Sequence, residues 1–511
     1  MTRIAQIKKI GDLDAFAAHC VSVGAAIPTA SPDRTGPGPA DPLATPFTFT
    51  DGSAGSFTVG NRFCVLPMEG WDGTTDGAPT DLVRRRWERF GGSGAKLVWG
   101  GEAVAVDPAA RANPHQLVIG PDTIDAIAGL RTDLVDTHRD VSGSTDGLVV
   151  GLQLTHSGRW SRPLGEAAPL TAHTHPVLDA KVGAGGDRVL SDDDLDALVV
   201  RFVDAAALAA DAGFDFVDIK HCHGYLLHEL LGARRRPGRY GGDLDGRAHF
   251  LARVIEGIRG RRPALAIGVR LSAFDLVPFA PGPENRGAPV DGADVPTPFG
   301  GSADGLGVDL TEVHAFVDLL AEWGVGLVCV TGGSPYYNPH IQRPAYFPPS
   351  DGYAPPNDPL VDVARHLAVT AELTHAHPEV AFVGSGYSYL QDFVAPVARA
   401  VIAAGDATSI GLGRMMLSYP DLPRDVLAGD VADRRRICRT FSDCTTAPRH
   451  GMVSGCYPLD GFYKQRPERR ELAKVKKQIR GEMGVIAASA TPAADGGDPS
   501  PSQKLPEDPS T

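Results

Sequence analysis

GFDFVDIKHCHGYLLHELLGARRRPGRYGG, residues 213–242, is the stretch whose reading decides the fold. Phe214 to Ile219 reads as a buried strand. It breaks at once into Lys220, His221, Cys222 and His223, with Tyr225 just beyond. An α/β barrel delivers its chemistry in this way, at the C-terminal ends of its strands. A lone histidine here would read more simply as a core histidine beside a surface lysine. Four polar groups directly after an apolar run point instead to a functional cluster.

Outward from that strand, apolar runs alternate with helix-period segments. Eight strands are expected, at residues 62–66, 96–99, 148–154, 214–219, 265–271, 327–330, 380–383 and 408–411. Ser191 with Asp194 three residues on is a capping-box pattern. Behind it, Leu195, Leu198, Val199, Phe202, Val203 and Ala206 share one helical face. Two further stripes, Leu244 to Ile258 and Val313 to Leu320, repeat the period and read as core packing. The fold class is therefore α/β, a (β/α)8 TIM barrel with long loop insertions. The polar segments 163–189 and 274–310 are too long for plain connections and are expected on the rim of the site.

The expected organisation is an N-terminal extension and Pro/Gly-rich linker at 1–45, and the barrel at 46–430. A cysteine-containing extension at 431–486 and a disordered Ala/Pro/Asp/Ser-rich tail at 487–511 follow. No apolar run reaches the roughly 18 residues of a membrane helix. Asp12, Asp14 and His19 interrupt any signal-like core near the N-terminus, so a cytoplasmic protein is expected. A net charge of −13 argues against nucleic-acid or anionic-membrane partners. A small-molecule substrate is expected, and a homo-oligomer stays open. Seven cysteines in 511 residues are no disulfide framework.

Three features recur at the expected strand ends. Pro67-Met68 pairs a rigid backbone with a soft side chain, suited to a flat aromatic ligand. Gln153 would point inward, where its amide can donate and accept. Gly384 and Gly386 follow the seventh strand, and Gly413 and Arg414 the eighth, where barrels bind phosphate.

NRFCVLPM, EAVAVDPAAR, QLTHSGR, RYGGDLDGRAHF, IGVRLS, VTGG and GLGRMMLSYPDLP, together with the opening stretch, resemble the old yellow enzyme family of FMN-dependent NAD(P)H:flavin oxidoreductases. The resemblance runs from about Phe47 to Leu427. It implies FMN across the barrel mouth, with Pro67, Met68 and Ala103 along the isoalloxazine and Gln153 at its pyrimidine edge. It also implies Arg270 beside N1/O2, and Gly384, Gly386, Gly413 and Arg414 at the phosphate. By the same resemblance, NAD(P)H reduces the flavin. A substrate held by Lys220 and His223, an α,β-unsaturated carbonyl or related electron-poor alkene, then takes the hydride, with Tyr225 as proton donor.

Three departures stand out. Lys220 replaces the family histidine and attracts anionic groups. Glu69 follows Pro-Met where a small or sulfur-bearing residue is usual. It reads equally as a solvent-facing loop residue or as a substrate-binding partner of Lys220 or an amine. Cys438, Cys444 and Cys456 are similar to the first, third and fourth of the four [4Fe–4S] ligands of 2,4-dienoyl-CoA reductase and trimethylamine dehydrogenase, with Phe441 near the second place. The expectation is a remnant loop without a metal. A three-thiolate cluster completed by His450 is the alternative. Only about 55 residues follow Cys456, so the FAD/NAD-binding domain of those relatives is expected to be missing. The competing functions are an FMN amine dehydrogenase or N-demethylase, motivated by Glu69, and a ligand-binding barrel without turnover.

Overall fold

The computed structural model describes residues 4–30, 41–290, 294–430 and 432–489. Two short strands, β1 (Phe47–Asp51) and β2 (Gly55–Val59), pair antiparallel ahead of the barrel. The barrel begins with β3 (Phe63–Val65) and β4 (Leu97–Val98). A short β5 (Ala103–Ala105) follows, then β6 (Val149–Thr155), β7 (Phe216–Ile219) and β8 (Ala266–Phe274). A second hairpin, β9 (Phe279–Pro281) with β10 (Gly287–Pro289), lies in the insertion after β8. The barrel ends with β11 (Leu327–Gly332), β12 (Ala381–Gly384) and β13 (Ser409–Leu412). All pairings between barrel strands are parallel. Leu97 opposite Val149 and Ile410 opposite Phe63 close the ring. Each of the eight expected strands is present, shifted by at most two or three residues at an end.

The barrel strands are buried along their length and mostly apolar because both faces are covered. Their period of two separates an outer layer from the lumen. Val217 and Ile219 of β7 face the helices, as do Ile267, Val269 and Leu271 of β8. Phe216, Ala266, Leu327, Cys329 and Trp99 fill the lumen. Continuing the same alternation, Asp218 and then Lys220 rise on the inner face of β7. Arg270 does so on β8, and Gln153 on β6. The polar site is thus the top of a column whose base is hydrocarbon.

That base is sealed by the β1–β2 hairpin, an element not legible beforehand. Phe47, Phe49 and Asp51 alternate inward, and Phe47, Phe49 and Val59 join the lumen cluster. Asp51 anchors the plug by accepting from the Ile267 N–H at 3.0 Å.

The helices follow the sequence stripes. Asp192–Asp211 starts at a complete capping box, with Ser191 accepting from the Asp194 N–H and Asp194 from the Ser191 N–H. Such a cap contributes about 1 kcal/mol. The helix buries Leu195, Leu198, Val199, Phe202, Val203 and Ala206, as the periodicity requires. After the barrel, helix Asp443–Arg449 packs beside a long helix, Glu468–Ser489. The expected tail lies outside the described residues from residue 490 onward.

Candidate active site

One cavity opens at the C-terminal ends of the strands. Its floor is Gln153, Lys220, Arg270 and Thr331, and its walls are Leu66 to Glu69, Ala103, Ser385, Gly386, Gly411, Gly413 and Arg414. Its cover comes from the segment after β11, at Pro335, Gln342, Arg343 and Pro344, and from Cys444, Thr445 and Ser454 beyond the barrel. The segments 163–189 and 274–310 do not supply the rim. His173, His175 and Leu178 of the first, with Pro296 and Phe299 of the second, line a neighbouring cavity against Tyr337. The sequence shows that these insertions are long and polar, but not which way they fold over the barrel.

Of the expected site residues, Pro67, Met68, Glu69, Ala103, Gln153, Lys220, His223, Arg270, Gly386, Gly413 and Arg414 line this single cavity. Gly384 and Tyr225 do not. Gly384 ends β12 beneath the loop, against the Tyr387 hydroxyl. Tyr225 is buried behind Lys220, whose ammonium lies 4.0 Å from the centre of its ring. Its hydroxyl shares a hydrogen bond of 3.0 Å with that of Tyr336. Tyr336 in turn stacks on Trp160 at 4.2 Å. Burial and the neighbouring Tyr336 push Tyr225 far above the usual phenol range, so it keeps its proton.

The turn carrying His223 has a specific backbone. His223 has φ 68° and Gly224 φ 74°, two successive left-handed residues. Glycine serves the second because a Cβ there would press on Ser334 and Tyr337. The His223 N–H donates to Ser272 Oγ at 3.0 Å, and its Nε2 lies 3.2 Å from the Gln342 amide. Burial, followed by the fields of Arg270 and Lys220, depresses His223 well below the ordinary histidine range, leaving a neutral ring. His221 donates from Nδ1 to its own strand at Ile219 O, 2.7 Å away, and with Cys222 belongs to the packing.

Lys220 is 4 % exposed and forms no ion pair within 4.0 Å among the described residues. Burial lowers its pKa, and Glu69 opposes the shift. Glu69 turns inward rather than to solvent. One carboxylate oxygen is buried without a hydrogen-bond partner. Burial raises its pKa, against the pull of Lys220 and Trp71.

Beneath these groups lies a residue whose role the sequence did not announce. Asp218 is fully buried and accepts three N–H groups: Trp99 Nε1 at 2.7 Å, Gln153 Nε2 at 2.5 Å and the Arg270 backbone N–H at 2.7 Å. A carboxylate only accepts, so Gln153 must turn its nitrogen downward and its oxygen toward the cavity. A strand carboxylate two residues below Lys220 was the available signal.

The phosphate-like end has the features an anion needs. Gly386 has φ 93°, open only to glycine at low cost. At Gly413 an added Cβ would meet only Met68 Sδ, at 3.3 Å, so the backbone stands open to the cavity. Arg414 donates from Nη2 to Pro344 O at 2.7 Å, while its Nη1 is buried without a partner. Arg270 Nε is likewise unpartnered.

Cys438, Cys444 and Cys456 converge on a small adjoining pocket, with Phe441 beside them. Burial raises all three thiols, Cys444 to about 11. Phe441 stacks on Phe347 at 5.6 Å, and His450 is exposed and outside the pocket. Three thiols and a phenyl ring do not fit a four-ligand iron–sulfur cluster. Among the described residues no group of three or more His, Cys, Asp or Glu side chains is arranged to hold a metal ion.

Residues 45–280 match the NADH:flavin oxidoreductase / NADH oxidase family. The chain is 32% identical over 232 residues to an NADPH dehydrogenase of Geobacillus thermodenitrificans. That match covers 43% of this chain and 62% of the relative, so the chain spans under two thirds of the relative's length. Its fold is similar to histamine dehydrogenase from Rhizobium sp. 4-9, with TM-score 0.58 and 19% identity over 83% of this chain and 53% of that one. The old yellow enzyme homologue from Zymomonas mobilis follows, with TM-score 0.50 and 20% identity over 75% and 92%.

Proposed function

From a chain whose residues 45–280 belong to the NADH:flavin oxidoreductase / NADH oxidase family, we infer an FMN-dependent oxidoreductase that takes electrons from NAD(P)H and reduces an electron-poor alkene such as an α,β-unsaturated carbonyl. The observation that carries this reading is the single cavity at the strand ends. It combines unpartnered Arg270 and Arg414 nitrogens, the open backbone at Gly386 and Gly413, and the inward Gln153 amide with a separate polar pair, Lys220 and His223. When bound, FMN supplies a two-electron relay between nicotinamide and acceptor.

The chain's residues do the rest. Gly386, Gly413 and Arg414 would hold the phosphate, with Gly384 setting the end of the strand beneath them. Pro67, Met68 and Ala103 would lie along the ring system. Gln153 would offer its oxygen to the pyrimidine edge, and Arg270 would place a cation near N1/O2, a preorganised charge rather than a proton donor. Lys220 and His223 would bind the acceptor's oxygen and polarise the alkene. Tyr225 would supply the proton once its hydroxyl turns from Tyr336, its 3.0 Å partner, toward the cavity.

The buried, partnerless Glu69 oxygen favours a second reading, oxidation of an amine drawn to that carboxylate. Anaerobic mixing separates the two. Bleaching of a bound yellow cofactor by NADH or NADPH, then recovery of colour on adding cyclohexenone, supports alkene reduction. Bleaching by an amine and by neither nicotinamide supports amine oxidation. A purified protein that takes up no FMN refutes both.

A further inference from the structure

Arg343, in the segment after β11, is a half-buried cation with no assigned anion. Its Nη1 donates to Thr445 Oγ1, on the far side of the cavity cover. Its Nε and Nη2 are buried and have no hydrogen-bond partner, and no carboxylate pairs with it among the described residues. The charges around it have its own sign. Arg414 lines the same cavity and is the first charge bearing on Arg343, which in turn bears on Arg449 of helix Asp443–Arg449. Arg449 has a partner, Asp351, and also donates to Pro335 O.

Burial and this repulsion depress both groups, Arg343 to about 10 with Arg414 the first charge responsible, and Arg449 to about 9 with Arg343 the first. A guanidinium with two N–H-bearing nitrogens held out of water and no anion is unfavourable, and a like-charged neighbour adds to that. Such a row of cations suits a site whose ligands bring the anions.

On the flavin reading, on which this inference rests, the FMN phosphate answers Arg414. Arg343 is left over. Gln342 reaches His223, and the Arg343 charge itself bears on His223 in the same cavity, so the guanidinium serves the substrate pair as well as the phosphate end. Two N–H groups of one guanidinium match a carboxylate in bidentate fashion. We propose that Arg343 binds a carboxylate carried by the oxidising substrate, so that the substrate class is an unsaturated carboxylic acid or a carboxylate-bearing enone. In a carboxylate-bearing enone Lys220 and His223 then receive the ketone oxygen, and in a simple unsaturated acid they share the same carboxylate through its remaining lone pairs.

The same geometry could meet the pyrophosphate of the nicotinamide, which the test separates. The FMN-loaded protein is titrated with trans-cinnamate and with its neutral counterpart trans-cinnamamide, followed by the flavin difference spectrum. Cinnamate is expected to bind at least about tenfold tighter, one charge-assisted contact being about 1.5–3 kcal/mol. Arg343→Gln should abolish the preference while retaining FMN, and Arg343→Lys should restore part of it. Equal affinities in the parent protein overturn the proposal. So does loss of FMN from Arg343→Gln, which would give Arg343 to the flavin phosphate. A rise in the KM for NADH or NADPH with the cinnamate preference intact assigns it to the nicotinamide and also overturns the proposal. Failure of the parent protein to bind FMN is a different outcome and removes the flavin reading itself.

Discussion

Asp218→Asn tests the layer beneath the site. The substitution keeps the shape but exchanges an acceptor-only group for one with a single acceptor and a single donor. Oδ2 serves Trp99 Nε1 and Gln153 Nε2, and Oδ1 serves the Arg270 backbone N–H. If the new amide nitrogen takes the Oδ2 place, Gln153 can flip and accept, but the Trp99 N–H loses its acceptor. If it takes the Oδ1 place, the Arg270 N–H loses its own. In either case one buried donor is orphaned, at about 1–3 kcal/mol, and the surviving bonds lose charge assistance, about 1 kcal/mol each.

The Arg270 guanidinium, which forms no ion pair with Asp218, also loses the pull of its negative charge. The hydrogen-bond terms alone give an expected loss of about 3–5 kcal/mol. Burial raises the Asp218 pKa, opposed by Gln153 and Trp99. Three donated N–H groups and no acceptor for a proton of its own fit the ionised form. The assay is urea unfolding of both apoproteins at pH 7, followed by tryptophan fluorescence. A midpoint shift worth less than about 1 kcal/mol would mean that Asp218 carries a proton, and the argument for the orientation of Gln153 would fall with it.

Tyr225→Phe should slow flavin reoxidation by an alkene about 10²-fold or more, with a much smaller change in reduction by the nicotinamide. Stopped-flow traces of the two half-reactions check this, and equal rates for reoxidation remove Tyr225 as the proton source. Lys220 loses its charge earlier than an ordinary lysine because burial lowers its pKa. Cinnamate affinity should therefore fall as pH rises, beginning below the ordinary value of 10.5. Lys220→Met should shrink that fall, leaving the part that Arg343, lowered to about 10, contributes. A wild-type profile flat up to pH 10.5 contradicts a charged Lys220 in the site.

Much of the scaffold was legible because it is written locally. A barrel strand buried on both faces is an apolar run, and a helix on its outside is a 3.6-residue stripe. Asp192–Asp211 shows its cap and its buried face without reference to any other segment. The positions of Lys220, Arg270 and Gln153 follow for the same reason. Each ends a readable strand, and a period of two fixes which side chains enter the lumen. The β1–β2 hairpin escaped notice because its five-residue strands carry a weak pattern, and only the barrel floor gives Phe47 and Phe49 something to cover.

What the sequence by itself determined is the barrel, the strand ends and the titratable groups that crown them. Tertiary structure alone decided which of those groups meet. Asp218 orients Gln153 across 65 residues, and Arg343 reaches Thr445 across 102. The cover of the cavity comes from the segment after β11 and from beyond the barrel rather than from the long insertions, and it brings Arg449 under the influence of the Arg343 charge. Tyr225 sits behind Lys220 with its hydroxyl on Tyr336 of the Trp160–Tyr336 stack. These contacts join segments distant in the chain, and their energies depend on burial and on unpaired charge. Neither quantity belongs to a residue until the chain has closed around it.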